Sequence, residues 1–506
     1  MKKAISILLA VVILLAIPAC GSKDDLDQPR SDGEESKVSI TIALDSIPNE
    51  LDPLIADLAS HLSCINHIYD KLVAFDQEYN WIPSVATTWE QLDDYTWQFE
   101  INTDIKFSNG ELLTMDDVIY SLERIASTPK SADVGAYIDS MSYEGNVLTI
   151  KINENNNAVM PRILSLSYIF DKSYVEETGE SAIYSAPIGT GPYKVKEFTP
   201  GTTLVMETWD GYTGTKPQID EINVIGIAEA ASLYIAVETG RAQYAGFVSA
   251  LEVGNAENNN KLYVQTDSSN IVRDINLNCE KGPFVDINVR RAIAYALDRE
   301  SWCLLDGGHQ PTKSMLSNTF AYYHESENLP EYDLEKAKAL LAEAGYDASN
   351  PLSFELITYR DDSGLELLQS DLKSIGVNMT VTLLEFSVYL SREGAGDFDA
   401  CFCGQDTTAG TAIADCERFD YRFAGTRDVS FYSSAEADAL IKTIRTTMDE
   451  DELTQAFRDL SDVIAYDCPM IPVYLDTLHS VMVNELTGVT VRSDNIISFR
   501  NATYTG

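Results

Sequence analysis

Tyr95-Thr96-Trp97-Gln98-Phe99-Glu100-Ile101, then Phe107-Ser108-Asn109-Gly110, then Thr114-Met115-Asp116-Asp117-Val118: one stretch of chain spells a strand, a turn and a helix start. Trp97 to Ile101 alternates as a half-buried strand does. Ser108-Asn109-Gly110 is a turn signal. Thr114 offers a capping hydroxyl with an acid three residues on, and the helix it opens runs through Val118, Tyr120 and Leu122. Working outward, Val38 to Leu44 alternates as a strand, Pro53 ends it, and Leu54 to Leu72 reads as an amphipathic helix. Further strand patterns lie at Val147–Ile152, Tyr193–Phe198, Thr203–Glu207, Glu221–Ile225, Phe354–Thr358 and Asn378–Leu384. Helical patterns run from Val289 to Arg299, Leu334 to Ala344, Leu365 to Ser374 and Leu453 to Ala465, with Ser433-Ser434-Ala435-Glu436 read as a capping box. Strands and helices mixed throughout indicate α/β or α+β architecture. No fixed-period repeat is present.

The N-terminus carries a different instruction. Lys2 and Lys3 precede an apolar run from Ala4 to Ala19, interrupted only by Ser6 and Pro18. That run is short of the roughly 20 apolar residues a membrane span needs, and it ends on small residues as a secretory signal does. Ile17-Pro18-Ala19-Cys20 resembles a bacterial lipobox, which implies a signal peptide over 1–19 and acylation of Cys20. Two or more acyl chains, unlike one, anchor stably to a membrane. Residues 20–37 are acidic and polar and read as a solvated tether.

The 506-residue chain is long enough for more than one folding unit. Its formal charge of −43 argues against nucleic acid or anionic lipid as a partner of the main body. Eight cysteines are sparse and widely spaced, unlike a disulfide scaffold, and setting Cys20 aside leaves an odd number. Cys401, Cys403 and Cys416 match no common zinc spacing, and side chains of a strand alternate between two faces, so buried structural thiols are expected and no metal site. His61 and His67 fall on different faces of the expected helix and are poor joint ligands. No phosphate-binding loop, zinc-protease helix or nucleophile elbow occurs. Nothing in the pattern asks for catalysis or a cofactor.

With these elements in place, the chain resembles the family 5 extracellular solute-binding proteins, the peptide- and nickel-type receptors of ABC importers. Leu51-Asp52-Pro53 is similar to the family's opening motif and is followed by Ile68-Tyr69-Asp70-Lys71-Leu72-Val73. Pro83 to Ile125 is the most specific part. Pro187-Ile188-Gly189-Thr190-Gly191-Pro192-Tyr193 resembles its glycine-rich turn. Val289 to Ile293 with Tyr295 to Arg299, and Asp333 to Ala337 with Leu341 to Gly345, follow in the family's order.

The resemblance implies a two-lobed, periplasmic-binding-protein-like clamp of three structural domains. Domain I would comprise 38–75, 187–273 and 470–506, domain II 76–186 and domain III 274–469, with hinges near Val272-Arg273 and Asp467-Cys468-Pro469. It further implies a monomeric, non-catalytic, lipid-anchored receptor outside the cell membrane that captures a short peptide and hands it to separately encoded permease and ATPase subunits. Asp406 falls where peptide-binding members place the partner of the peptide ammonium, although Thr407-Thr408 replaces the usual acid-proline. Asn276, Asn278, Tyr421, Arg422 and Phe423 are further candidate contacts, and Arg290 and Arg291 are expected in scaffold ion pairs. The same clamp could hold an oligosaccharide, a nickel chelate or another small solute, and a surface-anchored hydrolase is the reading from another class.

Overall fold

The computed structural model describes residues 37–56, 58–77, 79–305, 309–405 and 411–506. Cys20, the tether up to residue 36 and Asp406 therefore lie outside the described residues. No helix among the described residues is long and apolar enough to cross a membrane.

The alternating stretch at the start of the body folds as strand Ser39–Leu44, with Ile40 and Ile42 turned into the core. It pairs in parallel with Glu221–Gly226 and Tyr244–Ala245. The antiparallel strands Thr203–Thr208 and Tyr193–Thr199 extend this flank. On the opposite flank Asn378–Leu383, Ser353–Thr358 and Ala400–Gln405 run parallel to one another. Two long antiparallel strands, Leu262–Leu277 and Met470–Val483, join the flanks. With the short Gln310–Pro311 they complete an 11-stranded mixed sheet.

This sheet serves two cores. Leu478 and Met482 pack with Ile42, Val224 and Tyr193, whereas Ile471 and Val473 pack with Ile275, Trp302 and Phe402. The two long strands therefore pass from one lobe into the other. A separate antiparallel sheet of Ala86–Asp93, Thr96–Ile101, Val147–Ile152 and Ile138–Glu144 builds a further core, in which Phe99 and Ile150 meet Val118 and Leu122 of the helix Met115–Ser127.

Local signals account for most boundaries. Thr114 and Asp117 form the expected capping box, each side chain taking a backbone N–H of the other. The glycine-rich turn is dictated by close approach: a Cβ at Gly189 would sit 2.2 Å from the Ile68 carbonyl oxygen, and one at Gly191 2.6 Å from that of His67.

Other expectations are corrected. Leu54 to Leu72 is not one helix; only Ala59–Ile65 is helical, because the Asp52 carboxylate takes the Leu54 N–H and fixes a turn after Pro53. Val289 to Arg299 is broken as well: a helix Ile287–Tyr295 stops at Ala296, and Asp298 caps the next one, Arg299–Leu305, by accepting from Ser301. Ser434, not Ser433, caps its helix, accepting from Ala437. His67 lies beyond its helix and is buried. Its Nε2 accepts from the Phe499 N–H at 2.9 Å while Nδ1–H donates to the Ser63 carbonyl at 2.6 Å, so it pins the C-terminal segment. Arg290 and Arg291 are scaffold groups, but through the carbonyls of Asp467, Phe284 and Tyr466 rather than through ion pairs with described residues.

Candidate ligand-binding cleft

Strand polarity locates the cleft. In parallel α/β sheets, ligands bind beyond the carboxyl ends of the strands. In the first lobe Ala245 pairs with Val481, and the chain beyond it bonds from Val248 to the His479 carbonyl, so this end heads for the middle of the crossing strands. Ser39–Leu44 is parallel to it and ends at Asp45-Ser46. In the second lobe Gln405 pairs with Val272, so the ends of Ala400–Gln405 and Ser353–Thr358 point at the same middle from the other side. Both sets converge where the pairing register shifts, between Ser268 and Asp274.

Charged and aromatic groups gather there. Arg273 donates from Nε to Asp476 Oδ2 at 3.0 Å and from Nη2 at 2.5 Å, a buried ion pair inside the crossing strands. Burial opposes the Asp476 charge, yet Arg273, Arg360 and His309 outweigh it and hold the carboxyl below its ordinary value. Arg360 follows the end of Ser353–Thr358. Its half-buried guanidinium makes no hydrogen bond or ion pair with any described residue. Beside it, Tyr359 meets Phe386 and Tyr389 edge-on, with ring centroids 4.9 and 5.0 Å apart. His309 stacks on Tyr474 at 4.4 Å. Phe247, at the facing strand end, adopts φ 61°, a left-handed backbone unusual for an aromatic residue.

The lobes also touch away from these strand ends. Arg162, next to the core residues Ile163 and Leu164, forms an ion pair with Glu417, which Arg445 joins at 2.9 Å and Arg427 at 3.3 Å. Asn157 donates its N–H to the Arg445 carbonyl at 2.8 Å and its amide to the Thr447 carbonyl at 2.9 Å. A crevice of ≈ 260 Å³ lies alongside, walled by Trp81, Trp97 and Asn156 from one lobe and by Ile413 and Met448 from the other.

The candidates chosen from sequence distribute unevenly over this geometry. Asn276 is buried and bonds to Asp274 at 2.6 Å and to the Cys403 sulfur at 3.2 Å. Asn278 is buried too, its amide donating to the carbonyls of Gly396 and Phe398. Both amides are engaged within the protein, so neither faces a ligand in this conformation. Tyr421 donates to Glu280 at 2.8 Å, Arg422 grips Asp420 at 2.7 Å, and the Phe423 ring lies 5.3 Å from the Arg445 guanidinium. These three contacts are all made within the second lobe, beside Glu417. Arg360, Asp476, Tyr359 and His309 are further groups at the strand ends, beside the expected hinge residue Arg273, and Arg360 directly after a strand pattern was a signal available in the sequence.

The comparisons agree with this architecture. The model of the bacterial extracellular solute-binding proteins, family 5 middle region, matches residues 80–421. The chain belongs to that family. This family 5 protein is 26% identical to the oligopeptide-binding protein AppA of Bacillus subtilis, covering 96% of each chain. It is 25% identical to the nickel-binding protein NikA of Staphylococcus aureus, covering 92% of each. The structure of AppA in complex with a nonapeptide superposes with a TM-score of 0.80 at 23% identity, covering 93% of this chain and 100% of that one. The shared fold is a two-lobed solute-binding clamp.

Proposed function

We propose that this family 5 protein is the extracytoplasmic binding lipoprotein of an ABC importer, taking short peptides into the interlobe cleft and delivering them to its permease. The observation that carries the reading is the convergence of both lobes' parallel strand ends on one charged and aromatic floor, where the Arg360 guanidinium makes no hydrogen bond or ion pair with a described residue. An extended peptide brings main-chain donors and acceptors whatever its sequence, and a strand-lined clamp satisfies them. Its carboxylate would pair with Arg360, a charge-assisted contact strengthened by water exclusion on closure. Asp406, one residue beyond the strand Ala400–Gln405, would take the ammonium. The similarity to AppA supports the peptide reading.

The similarity to NikA supports a second reading, in which a metal chelate bearing carboxylates occupies the same cleft through Arg360. Native mass spectrometry of the purified protein separates the two: co-purified mixed short peptides support the first. Thermal stabilisation by nickel–histidine mixtures and by no peptide would replace it with the second.

The lobes, on this reading, divide within the crossing strands. Leu475 packs with the second lobe and Leu478 with the first, which favours a crossing at 475–478, a few residues past the boundary at 470. Cys20 would carry the lipid. Cys20→Ala should abolish palmitate labelling and move the protein into the medium or periplasm.

A further inference from the structure

We propose that the second lobe contains a buried thiolate–carboxylate site for a zinc-class divalent cation, formed by Cys401, Cys403 and Glu393 with Asp274 beside them. Cys401 and Cys403 are two residues apart on the strand Ala400–Gln405, so they share one face, and the alternation that separates neighbours brings these two together. Glu393 comes from the last turn of the helix Phe386–Gly394, over the same face. The two sulfurs and a Glu393 oxygen all lie within 4.8 Å of one another. Asp274 is the register partner of Cys403 on the crossing strand, and its Oδ1 lies 3.6 Å from the Cys403 sulfur. Cys416, the third thiol of the sequence pattern, packs in a different cluster with Phe419 and Phe457.

A purely structural role explains the thiols but not the carboxylate. Buried cysteines behave as small hydrophobic groups, and here they sit with Ile357, Tyr389, Phe398 and Val429. Turning a carboxylate into such a cluster is costly unless it is paired. The half-buried Glu393 side chain accepts from the Tyr389 hydroxyl at 2.6 Å and forms no ion pair among the described residues.

The surroundings are those of ligands already oriented. Tyr389 fixes Glu393. The Asn276 amide bridges Asp274 Oδ1 at 2.6 Å and the Cys403 sulfur at 3.2 Å, and Arg418 pairs with the other Asp274 oxygen. Such outer partners aim metal ligands and tune them. On binding, the cation would form a bond to each sulfur and both thiol protons would leave to solvent. Two sulfurs with carboxylate oxygens suit zinc and its softer congeners and disfavour calcium and magnesium, which want oxygen alone. The ion would tie the crossing strand, the strand leading into residue 406 and the neighbouring helix together beneath the second lobe's rim of the cleft. The proposal is independent of the cargo.

Cobalt(II) titration tests it on the purified full chain, reduced and stripped with chelator. One equivalent should produce a sulfur-to-cobalt charge-transfer band and release two protons, zinc should bleach the band, and magnesium should not. Cys403→Ser should lose most of the band, Glu393→Gln should keep the band but weaken binding tenfold or more, and Cys279→Ser should change neither. Absence of the band in the unaltered protein, which requires no variant to fold, would overturn the site. So would a band that survives in Cys401→Ser and Cys403→Ser.

Discussion

Arg360 concentrates the residue-scale case. A half-buried guanidinium that makes no hydrogen bond or ion pair among the described residues, placed at the carboxyl end of a parallel strand and acting on Asp476 only through its charge, is the group proposed to receive an anion. Arg360→Gln should weaken binding of a free-carboxylate peptide at least tenfold, about 1.4 kcal/mol, and leave a C-terminally amidated peptide nearly unaffected. Calorimetry on the two ligands reads the difference, and equal losses would remove Arg360 from the carboxylate subsite. Asp406→Asn is the complementary change at the ammonium end and should cost a similar factor. Asn276 and Asn278 carry the opposite lesson. Their alternation put them on one face correctly, but the sequence could not say that this face is buried against Asp274, Cys403 and two carbonyls.

At the scale of elements, caps and turns did what their chemistry demands. Thr114 and Asp117 satisfy each other's backbone N–H, and Asp117 also accepts from the Lys172 N–H at 2.9 Å. Thr114→Ala should therefore destabilise the first lobe by ~1 kcal/mol in urea unfolding. Asp117→Ala should cost more, because it also frees Lys172. Equal values for the two would show that the second bond contributes nothing. The helices read too long, Leu54 to Leu72 and Val289 to Arg299, were both cut by an aspartate that preferred a local backbone bond to helical continuation. Apolar periodicity ran through both breaks, which is why the reading missed them.

For the whole molecule, Glu417 ties Arg162 to Arg445 and Arg427, a contact expected to act as a lock between lobes. Glu417→Gln leaves Arg162, Arg445 and Arg427 facing one another without their shared counter-charge, and removing one partner of a buried pair costs several kcal/mol. The expected result is a larger radius of gyration in solution scattering of the unliganded protein and faster ligand release. An unchanged radius and release rate would mean that the lock is not what holds the lobes together.

His67 acts on the same scale, since it fastens the C-terminal segment to the first lobe. Burial pushes its pKa down to about 4 from an ordinary 6.5. The folded state therefore resists a proton that the unfolded chain accepts. The stability it contributes is complete above pH 6.5 and is lost as pH falls toward 4, about 3 kcal/mol in all. Asp415 and Asp428, pushed up to about 6 by burial, pull the other way. The contribution is thus read as the difference between the protein and His67→Gln across this range; a difference independent of pH would refute it.

The sequence by itself determined the mixture of strands and helices, most strand positions, the capped helix after Thr114 and the order of motifs that carries the family. All of these rest on interactions between residues close in the chain, or on a period that a linear pattern displays. Only the tertiary structure decided where the strand ends converge, because that depends on pairings such as Val272 with Gln405 and Ala245 with Val481, far apart in sequence. It also decided that Arg360 stands near Asp476, that Tyr421 to Phe423 bond within the second lobe, and that Cys401, Cys403 and Glu393 come within 4.8 Å of one another. Register and lobe packing set these neighbours, and neither is written in any short stretch of chain.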